Sequence, residues 1–165
     1  MPVREILPAQ RTHHVAIWRI LEPVLRAGET YALPRDWSRR EALNFWFAPH
    51  HNVFVALEDE VVVGTYYLQA NQLGGGNHVA NCGYVTAANA TGRGIARAMC
   101  GHSLEIARAR GFRAMQFNCV VSTNTRAVAL WQHLGFAVVG VLPQAFAHPS
   151  LGFVDALVMF RALSV

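Results

Sequence analysis

Lysine is absent from this chain of 165 residues: all 14 of its Lys and Arg positions are arginine, scattered along the length without a basic cluster. A phosphate-binding loop ending in Gly-Lys-Ser or Gly-Lys-Thr is thereby excluded. Charged residues of either sign are scarce, at 15% against 53% apolar. That balance excludes a disordered chain and leaves apolar surface for one full core. No uninterrupted apolar run reaches the roughly 18 residues of a membrane span. The opening MPVREILPAQRTHH lacks the basic-then-apolar layout of a secretion signal, so a cytoplasmic location is expected. Cysteine is sparse too. Cys82, Cys100 and Cys119 are odd in number and show no CxxC spacing. They read as free thiols in a reducing compartment, packed as small apolar side chains. The net charge of +4 and the pI near 9.4 fit a polyanionic small molecule as well as a nucleic acid, and the missing cluster argues against the latter.

What is present reads as one continuous α/β alternation with no linker or repeat, hence a single domain over residues 1–165. A short strand is expected over Val3–Leu7. Val15, Trp18, Leu21 and Leu25 then recur at helical spacing within His13–Ala27, with a kink or break expected at Pro23. GETYALPRD reads as a loop, followed by a helix from a Ser38 N-cap to about Phe47. Asn52–Leu57 and Val61–Ala70 pair as strands across the acidic EDE turn, and LGGGN is a hairpin tip. A strand over His78–Thr86, a helix over Arg93–Arg110 stopped by Gly111, and a strand over Ala114–Val120 follow. A helix over Asn124–Leu134, capped by Gly135, leads into strands over Ala137–Leu142 and Phe153–Arg161 that flank a loop containing Pro and Gly. The order predicts a mixed sheet covered by helices.

Thr91-Gly92-Arg93-Gly94-Ile95-Ala96 falls where a strand ends and a helix begins. There, unpaired backbone N–H groups can meet an anion, and glycine allows close approach. Arg97 stands where a dinucleotide fingerprint wants a third glycine. Further on, Ala127, Leu130, Trp131 and Leu134 share one helical face behind Asn124, a good N-cap. Each element taken singly is an ordinary turn or an ordinary packed helix.

Together, at this separation, the two elements resemble the GCN5-related N-acetyltransferase family. Thr91–Ala96 matches the pattern R/Q-x-x-G-x-G/A apart from its first residue. Asn124–Phe136 matches N-x-x-A-x-x-L-Y-x-x-x-G-F apart from its tyrosine. GETYALP and LPQAFAHPSLGFVDALVMF are more loosely similar to a subgroup that includes fungal acetyltransferases of proline analogues. The resemblance implies a single-domain acetyltransferase fold with a mostly antiparallel sheet of about six to seven strands, a central strand-helix-strand site for CoA, and helices on both faces. It implies acetyl-CoA as co-substrate and a small-molecule amine, an amino or imino acid, as acceptor, with no membrane partner and room for a homodimer. Amides of Gly92, Arg93, Gly94, Ile95, Ala96 and Arg97 would hold the pyrophosphate. The backbone at Val85 and Thr86 would pair with the pantetheine arm and offer an N–H to the oxyanion, and Asn124 would meet the arm or the thioester.

Two departures bear on chemistry. Thr91 replaces Gln or Arg, so Arg93 or Arg97 is expected to supply the phosphate contact. Trp131 stands where the family has the tyrosine that protonates the departing thiolate, and an indole N–H is no proton source near neutral pH. Expelling a thiolate of pKa ~8.5 at pH 7 is uphill by only about 2 kcal/mol, whereas freeing an alkylamine of pKa ~10.4 costs about 4.6 kcal/mol. Catalysis should therefore rest on placing the amine and draining its proton. No carboxylate lies on the His78–Thr86 strand. Asn81 and Asn118 are expected to frame the cleft, holding the acceptor or a relaying water, or else only satisfying backbone where strands diverge. Tyr31 and Asp155 border the acceptor pocket on this reading, or serve loop packing and the last strand. His148, with His78 near the expected cleft, is a base near neutral pH or an exposed loop residue. The adjacent pairs His13-His14 and His50-His51 point to different faces, and His102 and His133 are expected to face solvent, so no metal is expected. Acetylation of a protein N-terminus or an aminoacyl-tRNA, and a CoA-binding module without catalysis, stand as alternatives.

Overall fold

In the computed structural model, which describes residues 4–164, the chain follows the order β1 (Arg4–Pro8), α1 (His14–Ala27), α2 (Arg39–Trp46), β2 (Asn52–Glu58), β3 (Val61–Ala70) and β4 (Val79–Thr86). It continues with α3 (Ile95–Ala109), β5 (Ala114–Val121), α4 (Thr125–His133), β6 (Ala137–His148) and β7 (Gly152–Ala162). Val3, expected to open the first strand, lies outside the described residues. The strands form one sheet in the order β1-β2-β3-β4-β5-β7-β6. Only the β4–β5 pair is parallel. No helix among the described residues is long and apolar enough to cross a membrane.

Side-chain alternation assigns each helix to a face of this sheet. On one face, the Tyr66 hydroxyl meets His102 Nδ1 of α3 at 2.7 Å and the Tyr84 hydroxyl meets Ser103 Oγ at 2.7 Å. The next side chain along β3 points the other way: Thr65 Oγ1 accepts from Trp46 Nε1 of α2 at 3.1 Å. Helices therefore cover both faces. His102, expected in solvent, is instead half-buried against Phe54, and burial lowers its pKa.

Local chemistry explains most boundaries. Ser38 and Glu41 form a reciprocal capping box at the start of α2. Asp59 and Glu60 both take positive φ, which a two-residue hairpin of matching twist requires. Two expectations need correction. First, α1 runs without interruption through Pro23, because Ile20, Leu21 and Leu25 are buried on either side of it. Their burial, about 1.5–3 kcal/mol each, outweighs the ~3 kcal/mol cost of an interior proline. Second, the expected loop after Leu142 is strand: β6 continues to His148 past a bulge between Leu142 and Phe146. β6 lies at the sheet's edge, where Pro143 is tolerated. Gln144 takes φ +52 there and donates its backbone N–H to Asp155 Oδ1 at 3.0 Å. Asp155 thus serves the last hairpin and does not line the cleft.

Candidate active site

The site exists because β4 and β5 part. They pair only at Val79–Ala114 and Ala80–Met115. Asn71 donates to the Val79 carbonyl and Ala87 to the Val63 carbonyl, so the odd-numbered residues of β4 direct their backbone groups to β3. The even-numbered Cys82, Tyr84 and Thr86 face the side β5 has left. This corrects the assignment of a free N–H to Val85, whose register against Thr65 commits it to β3; the open donors are those of Tyr84 and Thr86. A cavity of about 850 Å³ fills the gap and continues to both faces of the sheet.

At one end stands the glycine-rich turn. Gly92 and Gly94 hold φ of +77 and +78, which L side chains rarely adopt, with Arg126 Nη2 and Arg4 Nη1 each 3.9 Å from where a Cβ would stand. The first intrahelical bond of α3 runs from Ala98 N to Gly94 O at 3.0 Å. The N–H groups of Ile95, Ala96 and Arg97 precede it at the positive end of the helix, an arrangement that fits a pyrophosphate. Thr91, which lines the cavity, turns its hydroxyl proton to the Ala88 carbonyl. Arg97 lines the cavity, but Arg93 does not: its guanidinium lies 4.0 Å from the buried Glu58 carboxylate. Arg126, which motif reading passed over, joins Arg97 instead. Its place in the first turn of α4, two residues past Asn124, was the available signal. Asn124 occupies the N-cap position without a side-chain capping bond, so its amide remains free toward the cavity it lines.

The other end is built of aromatic rings and amides. Phe45, Tyr67 and Leu33 line it with Gln69, Asn81, Asn118 and Cys119, and among the described residues no carboxylate or histidine borders the cavity. Tyr31 lines it too, its hydroxyl donating to the Tyr84 carbonyl at 2.9 Å. Burial pushes the Tyr31 and Tyr84 phenols well above the usual value and Tyr67 up to about 12. Cys82 is also raised by burial. None of these is a base near neutral pH. Asn81 is buried and donates to the Gln116 carbonyl at 2.9 Å, where the strands separate. Asn118 is exposed within a bulge opposite β7 and donates to Asn71 Oδ1 at 2.7 Å. Cys119 shares that bulge and is exposed, unlike the buried Cys82 and Cys100, which corrects the expectation that all three thiols are packed.

Trp131 packs beside Tyr84, with ring centroids 5.2 Å apart, and beside Phe117 at 5.1 Å, forming part of the cavity wall. His148 is not brought to the site. Its Nδ1 accepts from the backbone N–H groups of Ser150 and Leu151 in the β6–β7 turn, both at 3.2 Å. His78 is exposed as well. No cluster of histidine, cysteine and carboxylate able to hold a metal occurs among the described residues.

Comparison with known proteins follows the same lines. The sequence profile of the acetyltransferase (GNAT) family matches residues 14–136. N-acetyltransferase aca1 of Schizosaccharomyces pombe is 27% identical over 153 residues, covering 81% of this chain and 72% of its own. A GCN5-related N-acetyltransferase from Kribbella flavida superposes with a TM-score of 0.93 at 40% identity, over 97% of this chain and 98% of its own. The protein yncA of Salmonella typhimurium, solved with its cofactor acetyl-CoA, shares the fold with a TM-score of 0.85 at 21% identity, over 99% and 95% of the two chains.

Proposed function

Because this chain belongs to the acetyltransferase (GNAT) family of acetyl-CoA-dependent N-acetyltransferases, we propose that it acetylates the amine of a small amino or imino acid, and that Asn81 and Asn118 hold the acceptor. The observation that carries this reading is the uncharged acceptor end of the cavity, walled by rings and lined by the amides of Gln69, Asn81 and Asn118. Amide N–H groups can hold a carboxylate without a cation. A pocket without a carboxylate gives an ammonium no countercharge, and desolvation inside it favours the neutral amine that attacks.

Acetyl-CoA supplies the acyl group as a thioester. The Gly92–Arg97 turn with Arg97 and Arg126 binds its phosphates, and Asn124 and the open edge of β4 at Tyr84 and Thr86 orient its arm. The N–H of Tyr84 or Thr86 meets the negative charge on the carbonyl oxygen as the amine adds. The C–N bond forms, the C–S bond breaks, the thiolate takes a proton, and the amine nitrogen releases one to water reaching the cleft. No side chain bordering the cavity competes for that proton. The three free thiols and the absence of any disulfide among the described residues fit a reducing, cytoplasmic setting.

The test is thiol release from acetyl-CoA against a panel of amino acids, imino acids and simple amines. Turnover confined to acceptors bearing both amine and carboxylate supports the reading. Turnover of simple amines at equal efficiency removes the carboxylate assignment. Silence across the panel with acetyl-CoA still bound points to a protein N-terminus or another macromolecule.

A further inference from the structure

Where β4 leaves β5, five side-chain amides meet through a run of hydrogen bonds. Gln69 Nε2 donates to Asn81 Oδ1 at 3.1 Å, and Asn81 Nδ2 donates to the backbone carbonyl of Gln116 at 2.9 Å. From the same Gln116, the side-chain Nε2 donates to Asn118 Oδ1 at 2.9 Å, and Asn118 Nδ2 to Asn71 Oδ1 at 2.7 Å.

The two arms differ in how their polarity is set. A backbone carbonyl only accepts, so Gln116 admits only the NH2 end of Asn81. Asn81 Oδ1 must then face Gln69, and Gln69 must present its own NH2. Along the arm through Asn118 every partner is a side-chain amide, so reversal of all three together keeps every bond. On the same face of β3, the ring of His51 stacks on Tyr67, two residues before Gln69, with centroids 4.1 Å apart and planes within 3°. His51 Nδ1 is in turn 3.0 Å from the Trp46 carbonyl.

We propose that Gln69 is a positioning residue, holding the Asn81 amide, whose ends the Gln116 carbonyl has set, in one orientation toward the acceptor. With Gln69 and the Gln116 carbonyl each taking one place, Asn81 keeps one N–H and one oxygen lone pair for the cavity, in a fixed order. The proposal rests on reading Asn81 as an acceptor contact. Leucine at position 69 would preserve volume, leave Asn81 Oδ1 without its donor, and let the amide swing about its remaining bond.

Four variants and three readouts test this. Gln69→Leu should raise the acceptor KM about tenfold, with kcat changed less than about twofold and the acetyl-CoA Kd by calorimetry unchanged. Gln69→Glu, which cannot donate to Asn81 when ionised, should show the same defect. The double variant with Asn81→Ala should be no worse than Asn81→Ala alone. A wild-type KM in Gln69→Leu, or losses that simply add, would overturn the proposal. Should the wild-type chain acetylate no small amine, the functional reading fails separately. The positioning claim is then decided by the side-chain amide resonances of Asn81 in 1H–15N spectra. Gln69→Leu should displace the Asn81 pair and spare the Asn118 pair; an unmoved Asn81 pair sinks it.

Discussion

Trp131 tests how much acid catalysis the reaction needs. It stands at a position where an ionisable phenol is the family habit, yet it is buried in a cluster with Tyr84, Phe117 and Phe136. A thiolate leaves at pH 7 against only about 2 kcal/mol, so an acid there has little to offer. We expect Trp131→Phe to retain kcat within about threefold in a thiol-release assay, because packing and not proton donation is the indole's contribution. Trp131→Ala should instead cost about 3–5 kcal/mol of stability by chemical denaturation, through the cavity it leaves. A large loss of kcat in a stable Trp131→Phe protein would restore a chemical role to the indole. At this scale the motif residues were legible in order but not in direction. Arg93 reads as a phosphate contact by its place between two glycines, and only the position of Glu58 turns it away.

Among the elements, β1 has a part that neither length nor composition suggests. Its Arg4 pairs with the buried Glu58 at 3.3 Å and donates to the Arg93 carbonyl at 2.9 Å and, at 3.5 Å, to that of Gly94. One guanidinium thus ties an edge strand and the end of β2 to the back of the glycine-rich turn. Arg4→Ala should weaken acetyl-CoA binding about tenfold by calorimetry while sparing the acceptor KM, since it loosens the turn and not the amide end. It should also lower Tm, because Glu58 would keep only the distant Arg93 as partner. Unchanged acetyl-CoA affinity would show that the turn holds its shape alone. Elements with a strong period or a clear cap, such as α2 behind Ser38, were legible within a residue or so. β6 was not, because Pro143 and the following residues carry loop chemistry that an edge strand can absorb in a bulge.

The whole molecule predicts two separate pH dependences. The phenols lining the cavity are raised by burial, Tyr67 to about 12 and Tyr31 and Tyr84 well above the usual value, and no histidine or carboxylate borders the cavity among the described residues. kcat/KM should therefore climb about tenfold per pH unit from pH 6 to 9, following the acceptor's own amine. A plateau set below the acceptor pKa would reveal a protein base. Stability should move differently. Burial lowers the pKa of His14, His51 and His102 in the folded protein. The unfolded chain then binds more protons, so their contribution is fully present above about pH 6.5 and is lost as pH falls through the lowered folded values. Thermal melts between pH 7.5 and 5 should show Tm falling with acid; a flat or rising Tm contradicts this.

The division between what was legible and what was not follows from range. Local sequence determined the strand-turn-helix at Gly92 and Gly94, the helix behind Asn124, the α/β order and, through their spacing, the family, because positive φ and periodic burial are decided within a few residues. It left Asn81 and Asn118 suspended between holding an acceptor and bridging strands, and it placed His148 near a cleft it does not reach. Where those side chains sit turned on where β4 parts from β5, which is set by side chains far apart in the chain. Which β4 amides stand open, which arginines reach the cavity, and that its acceptor end carries no charge are decided only when β3, β5, α3 and α4 close around it. Sequence neighbours cannot specify that separation, since the groups that fix it meet only after folding.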